Sequence, residues 1–493
     1  ALPDYVANQR WFSGKSSKLE KSALVDHADW SDERGLFLLA LFDVKTQTET
    51  ARYFIPLVIA FEDGDDARLS KLQPAVLAKV RQQASVGVIA DALADESFAR
   101  RLVDAIGENK EAAMARGRLR FTPTRMYAEL RGDRNVELTL SAPQAQGSNT
   151  ALRLGDRLFL KAYRRLQSGV SPELEVGRFL TDVAAFPNTV PVAGAVEYFD
   201  ADGTPHAVAI LQGWVQNQGD GWDYTVNYLV RFLQDHRAVD APPEGAHGLY
   251  LELARTLGSR TAELHRALGL PSTDPAFGSE PITASDVEHW RARVREEAER
   301  TLAALEGASA LPDAVQDPAR RLLAHRAALL ERIDRVSAGE PRAVKIRHHG
   351  DLHLGQVLLQ RNDVVFVDFE GEPARPLAER RAKHSPLRDV ASMLRSFVYA
   401  RHAALRRVPK EAGDDPRRWE RMLADWERAT RETYLQAYDL VARDAHLYES
   451  LEANRSLLDL FELEKALYEL RYEIANRPDW ASIPLSSLVQ ASD

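Results

Sequence analysis

The sequence predicts an α+β protein built from an N-terminal mixed unit, a small strand-rich lobe and a mostly helical C-terminal lobe. Three observations carry this. Short apolar runs separated by turn residues fill the first 125 positions, strands surround one capped helix over 126–212, and helical periodicity dominates from 213 to 493. A length of 493 residues fits about three domain-sized units.

In the first unit, Leu36–Leu41 and Tyr53–Ala60 read as strands and the stretch Glu62-Asp63-Gly64-Asp65-Asp66 as a turn. A helix is expected near Asp95–Ile106, and Phe121-Thr122-Pro123-Thr124 marks the boundary. In the second unit, Val136–Leu140 alternates like a strand. Ala151–Leu154 and Leu158–Ala162 form a hairpin turning at Gly155-Asp156. Ser171 caps a helix over Pro172–Thr181, with Pro172 at its first position. Val190–Phe199 and Ala207–Leu211 complete the lobe. Beyond it, Tyr250–Leu268, Ala284–Leu305, Asp313–Val336, Arg418–Ala442 and Glu449–Asn476 carry helical spacing. Two short strands interrupt them, Val357–Leu359 and Val364–Val367, joined around Asn362-Asp363.

Composition narrows the function. With 45% hydrophobic and 28% charged residues the chain has the make-up of an ordinary globular protein. The net charge of −9 argues against nucleic acid or an anionic membrane as the main partner. There is no cysteine, which excludes disulfides, thiolate zinc sites and cysteine nucleophiles. No run approaches the roughly 20 apolar residues of a membrane span, and no secretory signal is legible. A cytoplasmic location is the expectation.

The informative segment is His349-Gly350-Asp351-Leu352-His353-Leu354-Gly355-Gln356, followed by Val364-Val365-Phe366-Val367-Asp368-Phe369-Glu370. It reads as a polar loop, a tight hairpin and a second polar loop. A hairpin brings its flanking loops to one end, so Asp351, Gln356 and Asp368 are expected to converge. Phosphoryl transfer from a nucleotide needs such a set: a carboxylate to orient the attacking hydroxyl, and oxygen ligands for magnesium on the phosphates. Any one of these acids alone reads as a turn former or a solvated charge; the two loops in order carry the inference.

This segment resembles the catalytic loop of the kinase-like phosphotransferases, the aminoglycoside and choline kinase relatives. In that pattern His-Gly-Asp is followed five positions after the Asp by an amide residue, here Gln356, and the next strand ends in a pair like Asp368-Phe369. The resemblance extends to maltokinases through Asp368-Phe369-Glu370-Gly371-Glu372-Pro373, through Asn8-Gln9-Arg10-Trp11-Phe12, and through Lys465-Ala466-Leu467-Tyr468-Glu469 with Asn476-Arg477-Pro478-Asp479-Trp480. It implies a bilobal protein-kinase-like fold, as in aminoglycoside phosphotransferases. The N-terminal cap domain would occupy 1–125, a nucleotide-binding lobe 126–212, and a catalytic and sugar-binding lobe 213–493.

The resemblance also implies roles. Asp351 would orient and deprotonate the acceptor, Gln356 and Asp368 would bind Mg2+, and Lys161, paired with Glu175, would contact the phosphates of ATP. Glu173 is a competitor on another helix face. The loop Gln146-Gly147-Ser148-Asn149-Thr150 places Ser148, Asn149 and Thr150 at the phosphates, although an ordinary hairpin loop has the same spacing. The backbone around Gln212–Val215, with Gln212 and Trp214, would take the adenine. Gln356 replaces the Asn of protein kinases, and Glu370 replaces the Gly after Asp-Phe. Glu370 is read two ways, as a metal contact or as an ion-pair partner of Arg375. Asp389 is also read two ways, as a brace for the catalytic loop or as a helix cap. His349 and His353 read as structural histidines rather than metal ligands.

On the C-terminal helix, Leu460, Leu463, Leu467, Leu470 and Ile474 form one stripe; Phe461, Lys465, Tyr468, Tyr472 and Asn476 form another. The second mixes aromatic rings with Lys and Asn. It reads equally as helix packing or as a sugar-binding face, and the resemblance favours sugar. His353, Arg375, Lys465, Tyr468, Tyr472 and Asn476 are therefore expected around the acceptor. The implied reaction is phosphorylation of the anomeric hydroxyl of maltose, in α-glucan and trehalose metabolism, with association or fusion to a trehalose synthase. A kinase for another sugar such as glucosamine, or a silent binding module attached to a trehalose synthase, are the alternatives.

Overall fold

The computed structural model describes every residue except 13, 15–16, 63–65, 142–146, 240–241, 309–310, 337–341, 413 and 493. The centre of the expected turn at 62–66 and Gln146 lie outside the described residues. The chain divides into two compact units, Ala1–Gln216 and Asn217–Asp493.

The first unit holds two antiparallel sheets. One runs in the order Leu19–Asp29, Leu36–Thr46, Leu57–Phe61, Ser85–Asp91, Val76–Gln82, with Thr50–Phe54 also paired to Leu36–Thr46. The expected single strand Tyr53–Ala60 is two, because Pro56 has no N–H for a ladder. The other sheet has seven strands in the order Glu111–Ala113, Arg118–Pro123, Val192–Phe199, Pro205–Gly213, Leu158–Ala162, Thr150–Leu154, Leu140–Ser141. Between them lies helix Glu96–Gly107, whose N-cap Asp95 accepts from the amides of Ser97 and Phe98.

One apolar core runs from Phe37, Leu39 and Phe54 through Phe98 and Phe121 to Leu152, Leu160 and Val208. The expected boundary at 121–124 falls on the strand Arg118–Pro123, which pairs with Val192–Phe199. The expected strand Val136–Leu140 is present only as Leu140–Ser141. The Arg131 guanidinium takes up the carbonyls of Asp133, Arg134 and Val136, which a ladder would otherwise use.

The second unit is helical: Gly221–Asp235, Gly248–Leu268, Ala284–Glu306, Asp313–Ala324, Arg326–Asp334, Leu387–Arg407, Pro416–Asp444, Arg455–Asn476 and Ser482–Ser492 are its helices of nine or more residues. Its core includes the fully buried Phe397, Trp426, Tyr434, Tyr438 and Phe461. The expected helix Asp313–Val336 breaks at His325 into two. The hairpin Val357–Gln360/Asp363–Phe366 stands where expected, with Val357 opposite Phe366 and Gln360 opposite Asp363. Among the described residues, no helix is long and apolar enough to cross a membrane.

Candidate active site

The loop His349-Gly350-Asp351 is held by its backbone. Gly350 has φ +82°, a left-handed conformation that favours glycine, and a Cβ there would meet the Gly371 Cα at 3.2 Å. Asp389, in the first turn of helix Leu387–Arg407, accepts the N–H groups of His349 at 2.7 Å and Gly350 at 2.9 Å. Its carboxylate also meets His265 Nε2 at 3.1 Å. Burial alone would raise the Asp389 pKa, but the His265 hydrogen bond and nearby histidines hold it well below the ordinary range. His349 Nε2 reaches the Val367 carbonyl at 2.9 Å, which ties the first loop to the exit of the hairpin.

Asp351 is half-buried. Its Oδ1 lies 3.3 Å from Lys465 Nζ, and its Oδ2 lies 3.9 Å from His353 Nε2, beyond hydrogen-bond reach. His353 Nδ1 accepts the Gly355 N–H at 3.0 Å and so caps the short turn Leu354–Gln356. Burial pushes the His353 pKa down, so its ring is neutral near pH 7. Gln356 and Asp368 meet across the open end of the hairpin, Nε2 to Oδ2 at 3.2 Å. Asp368 has φ +66°, an uncommon conformation outside glycine, which aims its side chain differently from a strand residue. The hairpin thus brings Gln356 and Asp368 together, and His349 ties the loop that carries Asp351 to the same end.

Lys465 brings the C-terminal helix to the same place. Its ammonium also lies 3.0 Å from Glu372 Oε1. Glu372 Oε2 takes Arg375 Nε at 2.6 Å, Arg375 continues to Glu464 at 3.0 Å, and Glu464 meets Arg388 at 3.2 Å. Burial opposes a charge on Lys465, but Glu372 and Asp351 outweigh it and push its pKa up. Burial likewise opposes a charge on Glu372, but Lys465 and Arg375 bring its pKa down to about 2.

Beside this row of charges lies a cavity of about 550 Å³, lined by Glu372, Arg375, Tyr468, Tyr472 and Asn476 among others. The Tyr468 and Tyr472 rings stack at 6.4 Å and 25°. Arg375 lines the cavity, but its guanidinium is committed to Glu372, Glu379 and Glu464. These three, and not Glu370, are the ion partners found for it. The Asn476 amide donates to the Tyr472 carbonyl of its own helix.

In the first unit, Lys161 stands next to the end of the strand Leu158–Ala162, and its ammonium pairs with Glu173, Nζ to Oε2 at 2.8 Å. The helix begins at Pro172, so Glu173 stands in the first turn facing the strand, and Glu175 is turned about 200° from it. Tyr163 donates to the same Glu173 oxygen at 2.5 Å. Of the loop residues, Ser148 is exposed and Asn149 half-buried, whereas Thr150 is buried, its hydroxyl accepting from Arg164 Nε at 2.6 Å. Gln212 sits in a central strand between Phe159 and Val192. The Trp214 N–H donates to the Arg157 carbonyl, and its ring lies under the Arg153 guanidinium at 4.5 Å.

The sequence reading assigned no role to Glu372, Glu464, Arg388 or His265. Glu372 lies in the segment Asp368–Pro373, and Glu464 immediately precedes Lys465. Nothing in spacing alone tells a buried ion-pair carboxylate from a solvated one.

Residues 5–95 match the family described as the maltokinase N-terminal cap domain. Two curated relatives are both named glucosamine kinase. One, from Streptacidiphilus jiangxiensis, is 29% identical over 58% of this chain and 57% of its own length. The other, from Mycolicibacterium smegmatis, is 27% identical over 69% of this chain and 76% of its own length. The first alignment thus spans little more than half of that relative. Among solved structures, a glucosamine kinase in complex with glucosamine, ADP and inorganic phosphate superposes with a TM-score of 0.66 at 21% identity, covering 99% of each chain. The fold is the kinase-like one expected from the sequence.

Proposed function

We propose that this chain, a maltokinase-like member of the kinase-like phosphotransferases, transfers the γ-phosphoryl group of ATP to a sugar, with the anomeric hydroxyl of maltose as acceptor. The observation that carries this reading is the Asp351 carboxylate, fixed by a backbone loop that Asp389 braces and by Lys465 on one oxygen only. In the proposed step, the sugar hydroxyl gives its proton to Asp351 Oδ2 and its oxygen bonds to the γ-phosphorus. The bond from that phosphorus to the bridging oxygen breaks, and ADP leaves. Lys161, steadied by Glu173 and Tyr163, holds phosphate oxygens. The strand end at Gln212 and Trp214 takes the adenine.

The Gln356 amide oxygen and the Asp368 carboxylate form a hard-oxygen set that suits a divalent cation. Magnesium held there would offset phosphate charge during transfer.

Tyr468 and Tyr472 offer aromatic faces to a sugar ring, and the cavity is within the roughly 300–1,000 Å³ of small-molecule sites. Its lining carboxylates Glu297, Glu372, Glu379 and Glu464 are each ion-paired with arginine. A site compensated in this way favours a neutral polyhydroxyl acceptor, because an ammonium group would compete with those arginines. The names of the relatives favour the second reading, glucosamine as acceptor. A third is a silent sugar-binding module associated with a trehalose synthase.

The test is ADP release with magnesium and ATP across glucose, glucosamine, maltose and trehalose, with the product identified by phosphorus NMR. Turnover on maltose giving an anomeric phosphate is expected. Turnover on glucosamine alone would transfer the relatives' acceptor to this chain. Nucleotide binding without turnover on any sugar would leave the binding module.

A further inference from the structure

The row Asp351, Lys465, Glu372, Arg375, Glu464, Arg388 alternates in charge from the candidate base past the cavity wall, met at Glu372, Arg375 and Glu464, to Arg388. A buried ammonium needs compensation on more than one side. Lys465 finds it in two carboxylates, 3.3 Å and 3.0 Å away, with its ammonium 5.2 Å from the centre of the Tyr468 ring. Glu372 is only 5% exposed and is pinned by Arg375, so it cannot follow a moving ammonium. The consequence reaches Asp351: Lys465 is held back from it, on Oδ1 only.

We propose that Glu372 is a positioning residue for phosphoryl transfer: through Lys465 it keeps Oδ1 of Asp351 occupied and Oδ2 presented to the acceptor hydroxyl. This rests on the functional reading above. Without the Glu372 charge, Asp351 becomes the nearest carboxylate to Lys465. The ammonium then closes on it and competes for the oxygen that must take the proton. Other groups facing Lys465 are His353 beside Asp351, Arg375 behind Glu372, and Tyr468 and Glu469 on its own helix.

The experiment compares wild type, Glu372→Gln and Glu372→Asp in kcat, in KM for sugar and for ATP, and in melting temperature. Glu372→Gln keeps the shape and loses the charge. It is expected to lower kcat by about 10²-fold, the scale of a misplaced reacting group, with the ATP KM within about twofold. Glu372→Asp restores the charge at shorter reach and should recover part of kcat; if the Gln variant does not fold, the Asp variant carries the test. The alkaline limb of the kcat profile should move to lower pH in Glu372→Gln, because Lys465 loses its nearest carboxylate. A merely structural role would lower the melting temperature and disturb both KM values, with no selective loss of kcat and no shift of that limb. Variants that match wild type in kcat, or that show that structural pattern, would overturn the proposal while leaving the kinase reading intact. A wild type that phosphorylates no sugar would overturn both.

Discussion

Lys465 Nζ lies 3.3 Å from Asp351 Oδ1 although 114 positions separate them in the chain. The contact makes the C-terminal helix part of the candidate site. Along that helix the sequence sets the stripe Phe461, Lys465, Tyr468, Tyr472 and Asn476 beside the stripe Leu460, Leu463, Leu467, Leu470 and Ile474. Leu460, Leu463, Leu467 and Leu470 are buried, and so is Phe461, whereas Tyr468, Tyr472 and Asn476 line the cavity.

Tyr472 tests the sugar face with little risk to the fold, because 45% of it is exposed. Tyr472→Ala should raise the sugar KM and leave the ATP KM and melting temperature near wild type. Loss of binding shared by ground and transition states raises KM without lowering kcat. Kinetics with each substrate varied in turn check this, and an unaltered sugar KM would remove Tyr472 from the acceptor site.

The Lys161 pairing separates two neighbouring glutamates. Glu173→Gln should raise the ATP KM clearly more than Glu175→Gln, since the Lys161 ammonium meets Glu173 at 2.8 Å. Nucleotide affinity by calorimetry decides. A larger effect from Glu175→Gln would contradict the weight placed on the Glu173 contact.

Asp389 predicts a pH dependence. Its folded pKa lies below the unfolded value of about 3.9. Its contribution to stability is therefore fully present above that value, and it is lost as pH falls through the depressed folded one. Asp389→Asn should lower stability at neutral pH by at least about 2 kcal/mol, the scale of hydrogen bonds to a buried charged group. The gap to wild type should narrow on strong acidification. Chemical denaturation at several pH values checks both; equal stability at neutral pH would contradict the bracing role.

Much of the catalytic region was legible because it is local. The hairpin puts Gln356 and Asp368 together by geometry that any two-stranded turn obeys, and His349 ties the Asp351 loop to its exit. The helix Leu387–Arg407 was hard to read because it is buried almost all round, from Leu387 through Met393 and Phe397 to Ala404, with its polar residues Asp389, Ser392, Arg395 and Ser396 buried among the apolar ones. The segment 121–124 falls inside a strand because Phe121 pairs with Val196, far along the chain, and belongs to a core that reaches back to Phe37. Ser171 and Pro172 fix the start of the next helix, but Glu173 and Glu175 both stand in its first turn, and spacing alone does not say which of them meets Lys161.

The most direct test of the account is phosphate transfer from labelled ATP to maltose by Asp351→Asn, with nucleotide binding measured on the same sample. The account predicts binding and melting temperature close to wild type, with transfer reduced by about 10²–10⁴, the contribution of a positioned general base. Transfer at a near wild-type rate would contradict it.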